Sequence, residues 1–340
     1  MAKVIDVAAG VLIRQQAAGE PEILLAQRPS GKHMAGYWEF PGGKFEANES
    51  AEQALARELE EEIGVCIAAS EPLIQLVHHY PERSVRLHVR TVREWTGELQ
   101  SLDQQALRWV PQSQLSDWQL LPADGPIVRA IQLPSHYAIS ADATDWNLAK
   151  LEAQLAYWEQ QQVKLLQWRQ SGFAEVVSPS AQDIDYAERV VAWARKLGIT
   201  VLLNCAATPE GQRSWASQLG FDGIHLKSSY LNSRSWATDL ERLAAGRKSE
   251  NWGYLAASCH SVDELRAAEQ LGCDFAVFGP VKPTASHPDA PTLGWQAFAQ
   301  AVRLAGLPVY ALGGCELADI PYARTQEAQG IAGISTFNRP

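Results

Sequence analysis

Apolar positions along the chain change their rhythm at about residue 132. Before it, the opening segment 1–16 and the run Ile23-Leu24-Leu25-Ala26-Gln27 read as strands, and 50–63 carries apolar residues at helical spacing. Leu133-Pro134-Ser135-His136 is a short break after Ile127-Val128-Arg129-Ala130-Ile131. Beyond it, short apolar runs at 137–140, 165–169, 201–204, 223–227, 253–258, 275–279, 309–313 and 331–335 alternate with helical stretches. Eight strands with intervening helices predict a parallel (β/α)8 barrel, with almost no room for a last helix after residue 335. The chain therefore reads as α/β in two modules: residues 1–132, a linker at 133–136, and a barrel over 137–340.

The helix over 50–63 carries the chemistry. Ser50 can cap it, Glu52 and Gln53 sit at its start, and Gly64 stops it. Glu58, Glu61 and Glu62 then stand at i, i+3 and i+4. Like charges on one helix face cost roughly a few tenths of a kcal/mol per pair, which a shared cation would offset. Hard carboxylate oxygens suit Mg2+, with Mn2+ as a substitute. A solvated acidic face would explain the glutamates alone, but not the neighbours at fixed intervals. Gly42 and Gly43 follow Pro41 in what reads as a tight loop, where bare backbone can offer a carbonyl to a metal or an amide to a phosphate. Arg57 can pair with Glu49 and hold that loop on the helix.

From Gly43 through Glu49 to Arg57-Glu58-Leu59-Glu60-Glu61-Glu62-Ile63-Gly64-Val65, the spacing matches the Nudix box, and the first 130 or so residues resemble the MutT branch of the Nudix hydrolases. Trp38-Glu39-Phe40-Pro41-Gly42-Gly43-Lys44, His33-Met34-Ala35, Tyr80-Pro81-Glu82-Arg83, Trp95-Thr96-Gly97-Glu98 and Leu121-Pro122-Ala123-Asp124 extend the likeness. It implies an α/β/α sandwich with a mixed sheet, and hydrolysis of a nucleoside diphosphate linked to a further group. In the MutT branch this takes 8-oxo-dGTP to 8-oxo-dGMP and pyrophosphate. The resemblance assigns metal binding to Gly42 (by its carbonyl), Glu58, Glu61, Glu62 and Asp103, with Glu98 competing for the last place. Glu58, Glu62 and Asp103 are the candidate bases, and Arg57 supports them. It further implies that Arg28 contacts phosphate, Gly43 lies at the substrate, and Phe40 and Arg83 flank the base. Asp124 stands where the branch carries an Asn that reads the oxidised purine. An amide offers a donor and an acceptor, whereas Asp matches that pair only when protonated.

The second module resembles the thiamine-phosphate synthase and TenI family from Tyr137 to Pro340. The resemblance rests on Gln167-Trp168-Arg169, Asp222-Gly223-Ile224-His225-Leu226, Ser258-Cys259-His260, Phe278-Gly279-Pro280-Val281-Lys282-Pro283-Thr284, Ala311-Leu312-Gly313-Gly314 and the run ending Gly333-Ile334-Ser335. It implies a barrel ligand site at strand carboxyl ends, involving Arg169, His260, Gly313, Gly314 and Ser335, with the last strands suited to phosphate. Metal-binding aspartates of that family are replaced by Cys205 and Tyr230, and its lysines by Ser171 and His287. No synthase activity is expected. His260 falls where TenI-like tautomerases move a proton, and a structural histidine is the competing reading. The barrel is accordingly expected to bind a phosphate-bearing ligand, to regulate, or to serve as scaffold.

Composition limits the partners. A net charge of −10 and a pI near 5.3 disfavour duplex nucleic acid and suit a free nucleoside triphosphate carried in with its metal. Five dispersed cysteines read as reduced thiols of the cytoplasm. No apolar run reaches membrane-spanning length, and Asp6 and Arg14 interrupt the opening segment as a signal peptide. Twelve tryptophans read as packing residues. Two functions compete: an Mg2+-dependent nucleotide diphosphohydrolase carrying a passenger or regulatory barrel, and a barrel acting on a thiamine-related phosphate beside a hydrolase for a related diphosphate.

Overall fold

The computed structural model describes residues 4–17, 19–174, 179–249, 253–284 and 291–338. The chain forms two compact units, Met1–Leu133 with Val302–Pro308, and Pro134–Ala301 with Val309–Pro340.

The first unit is organised by β1 (Val4–Arg14), which is apolar on both faces. Ala8 and Leu12 point to one side, where they meet Leu24 and the helix residues Leu55, Leu59 and Ile63. Ala9 and Val11 point to the other, with Ile23, Leu25, Ile127 and Val128. That parity makes β1 the middle layer of an α/β/α sandwich. It pairs antiparallel with β2 (Glu22–Gln27), which continues to β3 (Trp38–Glu39), and antiparallel with β4 (Gly42–Lys44). Helix α1 (Ala51–Ile63) and the short β5 (Cys66–Ile67) follow, then β6 (Glu71–His79) and β7 (Ser84–Val92). Strand β7 runs parallel to β1, from Val4↔Ser84 to Leu12↔Val92, so the sheet is mixed. β8 (Trp95–Thr96) pairs with β5, β9 (Leu107–Pro111) joins β2, and α2 (Gly125–Gln132) covers the second face.

Helix α1 starts and stops as its sequence predicts. Ser50 and Gln53 form a reciprocal capping box, and Gly64 adopts the left-handed conformation at φ 71°. The glycine pair differs from expectation: Gly42 and Gly43 lie in strand β4, opposite Ala9 and Ala8, not in a tight loop. The reason is closeness of approach. A Cβ on Gly42 would lie 2.2 Å from the Ala8 carbonyl oxygen, at a φ of 145° that side chains avoid.

The second unit is a closed barrel of eight parallel strands: β10 (His136–Ile139), β11 (Leu165–Gln170), β12 (Thr200–Cys205), β13 (Gly223–Leu226), β14 (Tyr254–Cys259), β15 (Phe275–Phe278), β16 (Val309–Leu312) and β17 (Gly330–Gly333). The intervening helices are α3 (Leu148–Gln160), α4 (Ala181–Leu197), α5 (Pro209–Leu219), α6 (Ser228–Leu231), α7 (Ala237–Ser249), α8 (Val262–Leu271), α9 (Gly294–Val302) and α10 (Ile320–Thr325). Among the described residues no helix follows β17. The Phe337 carbonyl instead accepts from Trp158 Nε1 (2.7 Å) and Gln154 Nε2 (3.0 Å), and Asn338 Nδ2 donates to the Ile139 carbonyl (2.7 Å).

A polar chain runs through the barrel interior. Gln167 Nε2 donates to Tyr137 Oη (3.4 Å), Tyr137 Oη meets His225 Nδ1 (3.1 Å), and His225 Nε2 meets Ser258 Oγ (2.9 Å). Burial, aided by the Arg169 charge, pulls His225 from 6.5 down to about 3. Below pH 6.5 the unfolded chain therefore takes up a proton that the folded chain refuses. Stability should be complete above pH 6.5 and fall as pH drops toward 3, by on the order of 5 kcal/mol for this one group. Denaturant titrations from pH 7 to 4, with the His225 ring followed by NMR, test this; a ring that titrates near pH 6 would refute it.

Candidate active site

The cleft belongs to the first unit, with a volume of about 190 Å3, and lies on the α2 side of the sheet. Phe40, Val7, Leu87 and Tyr80 give it apolar walls, while Arg28, Glu39, Arg83 and Asp124 supply polar groups. Gly42 and Gly43 border it and lead to α1.

On the α1 side, Glu58 and Glu62 converge on the glycine strand. A Cβ on Gly43 would sit 2.2 Å from the Glu58 carboxylate, so that carboxylate occupies the space a side chain would take. The Gly42 amide donates to Glu62 Oε2 at 3.2 Å. Burial raises the Glu62 carboxyl to about 7 against that hydrogen bond, with the negative charges of Glu58 and Glu39 adding to the rise. Arg57 ties the approach together. Its Nε donates to Glu49 Oε1 (2.8 Å), its Nη2 to Glu49 Oε2 (3.0 Å) and to the Lys44 carbonyl (2.9 Å). Glu49 is held down at about 2 by the Arg57 hydrogen bonds, aided by the Glu46 amide. Arg57 Nη1 also reaches Glu58 (2.9 Å) and Glu61 (3.1 Å).

The three helix glutamates share a face, as their spacing predicts, but stand differently. Glu61 is 60% exposed and points to Arg57. Asp103 is half exposed and meets Lys32 Nζ at 3.4 Å. Among the described residues, no three carboxylate, thiol or imidazole side chains close into a ready cation cage. Arg57 supplies the compensating charge at Glu58 and Glu61. The donor chemistry nonetheless suits a hard cation: Glu58 and Glu62 crowd each other, and the Glu62 charge is unfavourable without one.

At the cleft's other end, the turn Pro81-Glu82 is closed by reciprocal backbone bonds between Tyr80 and Arg83 (2.9 and 3.3 Å), which places Arg83 at the rim. Arg28 Nη1 pairs with Glu39, and its Nε donates to the His33 carbonyl at 2.8 Å. Phe40 is buried at 4% exposure and lines the cleft, so it serves both core and pocket. Asp124 is 5% exposed, and its Oδ2 has no hydrogen-bond partner among the described residues. Burial, reinforced by the charge of Glu39 and only partly countered by Arg28, drives its carboxyl well above the usual range. Burial thus favours the neutral carboxylic acid at this position.

Glu39, Lys32 and Tyr80 belong to this region without having been assigned roles from sequence. A glutamate in the apolar Trp38-Glu39-Phe40 run was the available signal for the first. Lys32 carried none, because its partner is distant in the chain.

In the barrel, Arg169, His260, Gly313, Gly314 and Ser335 all lie at or just beyond strand carboxyl ends. The Arg169 amide donates to Ser140 Oγ (2.8 Å), and His260 Nδ1 meets the Gly279 carbonyl (2.8 Å). Gly313 and Gly314 have φ of 94° and 64° and pack on Pro280 and the Pro283 carbonyl, so backbone closeness accounts for both. Ser335 is exposed. Cys205 is buried, its thiol pushed up to about 11 by burial, and Tyr230 donates to the Ala207 carbonyl (2.9 Å). Neither supplies an anionic oxygen at neutral pH. Ser171 Oγ contacts Thr144 Oγ1 (3.0 Å). His287 lies outside the described residues.

Comparison with known proteins matches residues 8–130 to the Nudix domain and residues 136–337 to a family described as thiamine monophosphate synthase. The chain is 44% identical over 97 residues to an 8-oxo-dGTP diphosphatase of Proteus vulgaris, covering 28% of this chain and 83% of that protein. It is 39% identical over 128 residues to a CTP pyrophosphohydrolase of Escherichia coli, covering 38% and 91%. A thiamine-phosphate synthase of Methanocella arvoryzae shares 31% over 158 residues, covering 45% and 68%.

The sandwich and its glutamate helix thus define a hydrolase of phosphoanhydride bonds, joined in one chain to a (β/α)8 barrel. No helix among the described residues is long and apolar enough to cross a membrane. The chain belongs to the Nudix hydrolases through its first unit and to the thiamine monophosphate synthase and TenI family through its barrel.

Proposed function

We propose that the first unit is an Mg2+-dependent nucleoside triphosphate diphosphohydrolase that converts 8-oxo-dGTP to 8-oxo-dGMP and pyrophosphate, clearing an oxidised precursor from the nucleotide pool. In this reading the barrel is a non-synthase regulator or scaffold. The carrying observation is the Asp124 carboxyl, buried in the cleft with one oxygen unpartnered among the described residues and its pKa driven upward by that burial, which favours the protonated form. A protonated carboxyl offers one donor and one acceptor, as an Asn amide does. Its O–H can donate to O6 of 8-oxoguanine while its carbonyl accepts from N7–H. Unmodified guanine presents a lone pair at N7, so that acceptor would face another acceptor.

Gly42 by its carbonyl, together with Glu58, Glu61 and Glu62, would hold the cation. When bound, it supplies neutralising charge for the phosphates and acidifies a water. Glu58 or Glu62 takes the proton of the attacking water, Arg57 holds the helix carboxylates to the glycine strand, and Arg28 and Arg83 orient the nucleotide between cleft and rim. Asp103, which pairs with Lys32, is the remaining candidate base and ligand.

A second reading has one supporting observation. A protonated carboxyl also complements cytosine, donating to N3 and accepting from the N4 amino group, and the relative from Escherichia coli is named for CTP. Kinetics of the full chain on 8-oxo-dGTP, dGTP, CTP and thiamine diphosphate separate these. Preference for 8-oxo-dGTP over dGTP is expected to reach about a hundredfold, because the unmodified base leaves a buried polar group unpaired. That preference should decline as pH rises through the raised Asp124 value, since only the protonated form donates, and Asp124→Asn should abolish the decline. Faster cleavage of CTP would select the second reading, and faster cleavage of thiamine diphosphate would sink both.

A further inference from the structure

Lys32 links the two sides of the site and has no role in the mechanism above. The 28–37 segment that carries it is fastened at both ends. The Arg28 amide donates to the Tyr37 carbonyl (2.9 Å), the Gly36 amide to the Arg28 carbonyl (3.0 Å), and Gln27 Nε2 to the Gly36 carbonyl (3.0 Å). His33 and Met34, which follow Lys32, line the cleft. Opposite them, the 98–105 loop hangs from the end of α1. The Leu102 amide (3.1 Å) and Gln105 Nε2 (3.0 Å) both donate to the Glu62 carbonyl, and Gln105 Oε1 accepts from the Asp103 amide (3.0 Å). Asp103 and Glu62 are thus fixed to one point of the helix, and Lys32 Nζ reaches Asp103 Oδ2 at 3.4 Å. The same ammonium lies close enough to favour the charged forms of Glu62 and Glu39.

With side chains 49% and 50% exposed, the Lys32–Asp103 pair is weak and readily exchanged. A nucleoside triphosphate with one divalent cation remains an anion, and Arg28 is already matched by Glu39. We propose that Lys32 alternates between Asp103 in the nucleotide-free enzyme and the triphosphate in the loaded one, occupying the negative field of the carboxylates until metal and nucleotide displace it. The triphosphate half rests on the hydrolase reading above; the competition with a cation does not.

Lys32→Gln and Lys32→Arg in the full chain test both halves. Without nucleotide, Mn2+ titration followed by electron paramagnetic resonance should show binding about three- to tenfold tighter in Lys32→Gln, as one competing charge is removed, and unchanged in Lys32→Arg. With the best triphosphate, KM should rise about tenfold in Lys32→Gln while kcat stays within about twofold, the pattern of lost uniform binding. Lys32→Arg should restore KM, which a merely structural role would not require. Unchanged Mn2+ affinity overturns the competition, and unchanged KM overturns the contact with triphosphate. Should the parent cleave no nucleoside triphosphate, the hydrolase reading and the triphosphate half fail together, and the Mn2+ titration still decides the other half.

Discussion

Glu58→Gln and Glu62→Gln should each fold as the parent does and hydrolyse nucleoside triphosphate about a thousandfold more slowly or worse. Glutamine keeps the size of the side chain and an oxygen for the Gly42 amide, but it carries no charge and takes no proton. Removing a group that acts only when phosphate charge and the attacking water come together lowers turnover by about two to four powers of ten, and loss of a metal ligand adds to this. The fold is spared because Ala54, Leu55, Leu59 and Ile63 anchor α1, none of them altered. Relief of like-charge crowding should even raise the stability of Glu62→Gln by about a few tenths of a kcal/mol, whereas Glu58→Gln also gives up its ion pair with Arg57. Single-turnover kinetics with Mg2+, paired with a thermal melt, check the two halves together. Near-parental turnover in either variant would remove that carboxylate from the mechanism.

The second large effect is expected from the smallest change at the site. In Gly43→Ala the new methyl falls 2.2 Å from the Glu58 carboxylate, which must swing away because Leu55 and Leu59 fix its helix. A displacement of this size in a catalytic group costs about a hundredfold in kcat/KM. Stability should change little, since the obstacle is the end of a flexible side chain. Gly42→Ala should behave in the opposite sense. There the obstacle is the backbone oxygen of Ala8, at a φ of 145°, and a loss of about 2–3 kcal/mol is expected. Chemical denaturation and steady-state kinetics on both variants give the comparison; equal effects on stability would mean that Gly43 is a purely structural glycine.

Local features were legible in the sequence wherever one stretch of chain sets them. Helix α1, its caps and its acidic face follow from neighbouring residues, and the barrel follows from a repeated alternation of apolar runs and helices. Arg57 and Glu49 could be paired from spacing because only eight positions separate them, Glu49 just before α1 and Arg57 in its middle. What stayed hidden depends on approach between distant segments. The glycine pair reads as a turn until Ala8 and Ala9 are placed across from it. At Asp124 the sequence raises the question of protonation without answering it, because the burial that pushes its carboxyl upward comes from the folded cleft. Lys32 and Asp103 stand 71 positions apart, and nothing in either neighbourhood announces the other.

The parallel pairing of β1 with β7 governs when this site comes into being. Val4 must wait for Ser84, so on the ribosome the central ladder cannot begin to close until some eighty further residues have been made. Helix α1 lies inside that interval and can form early from its own capping signals, yet its carboxylates meet Gly42 and Gly43 only once the sheet presents them. Ladders of such long loop length are assembled late and slowly. The Glu58 and Glu62 carboxylates thus need only β4 seated on β1, whereas the cleft walls Val85 and Leu87 arrive with β7, so a nucleotide held across both would act as a thermodynamic lock on the longer-range pairing.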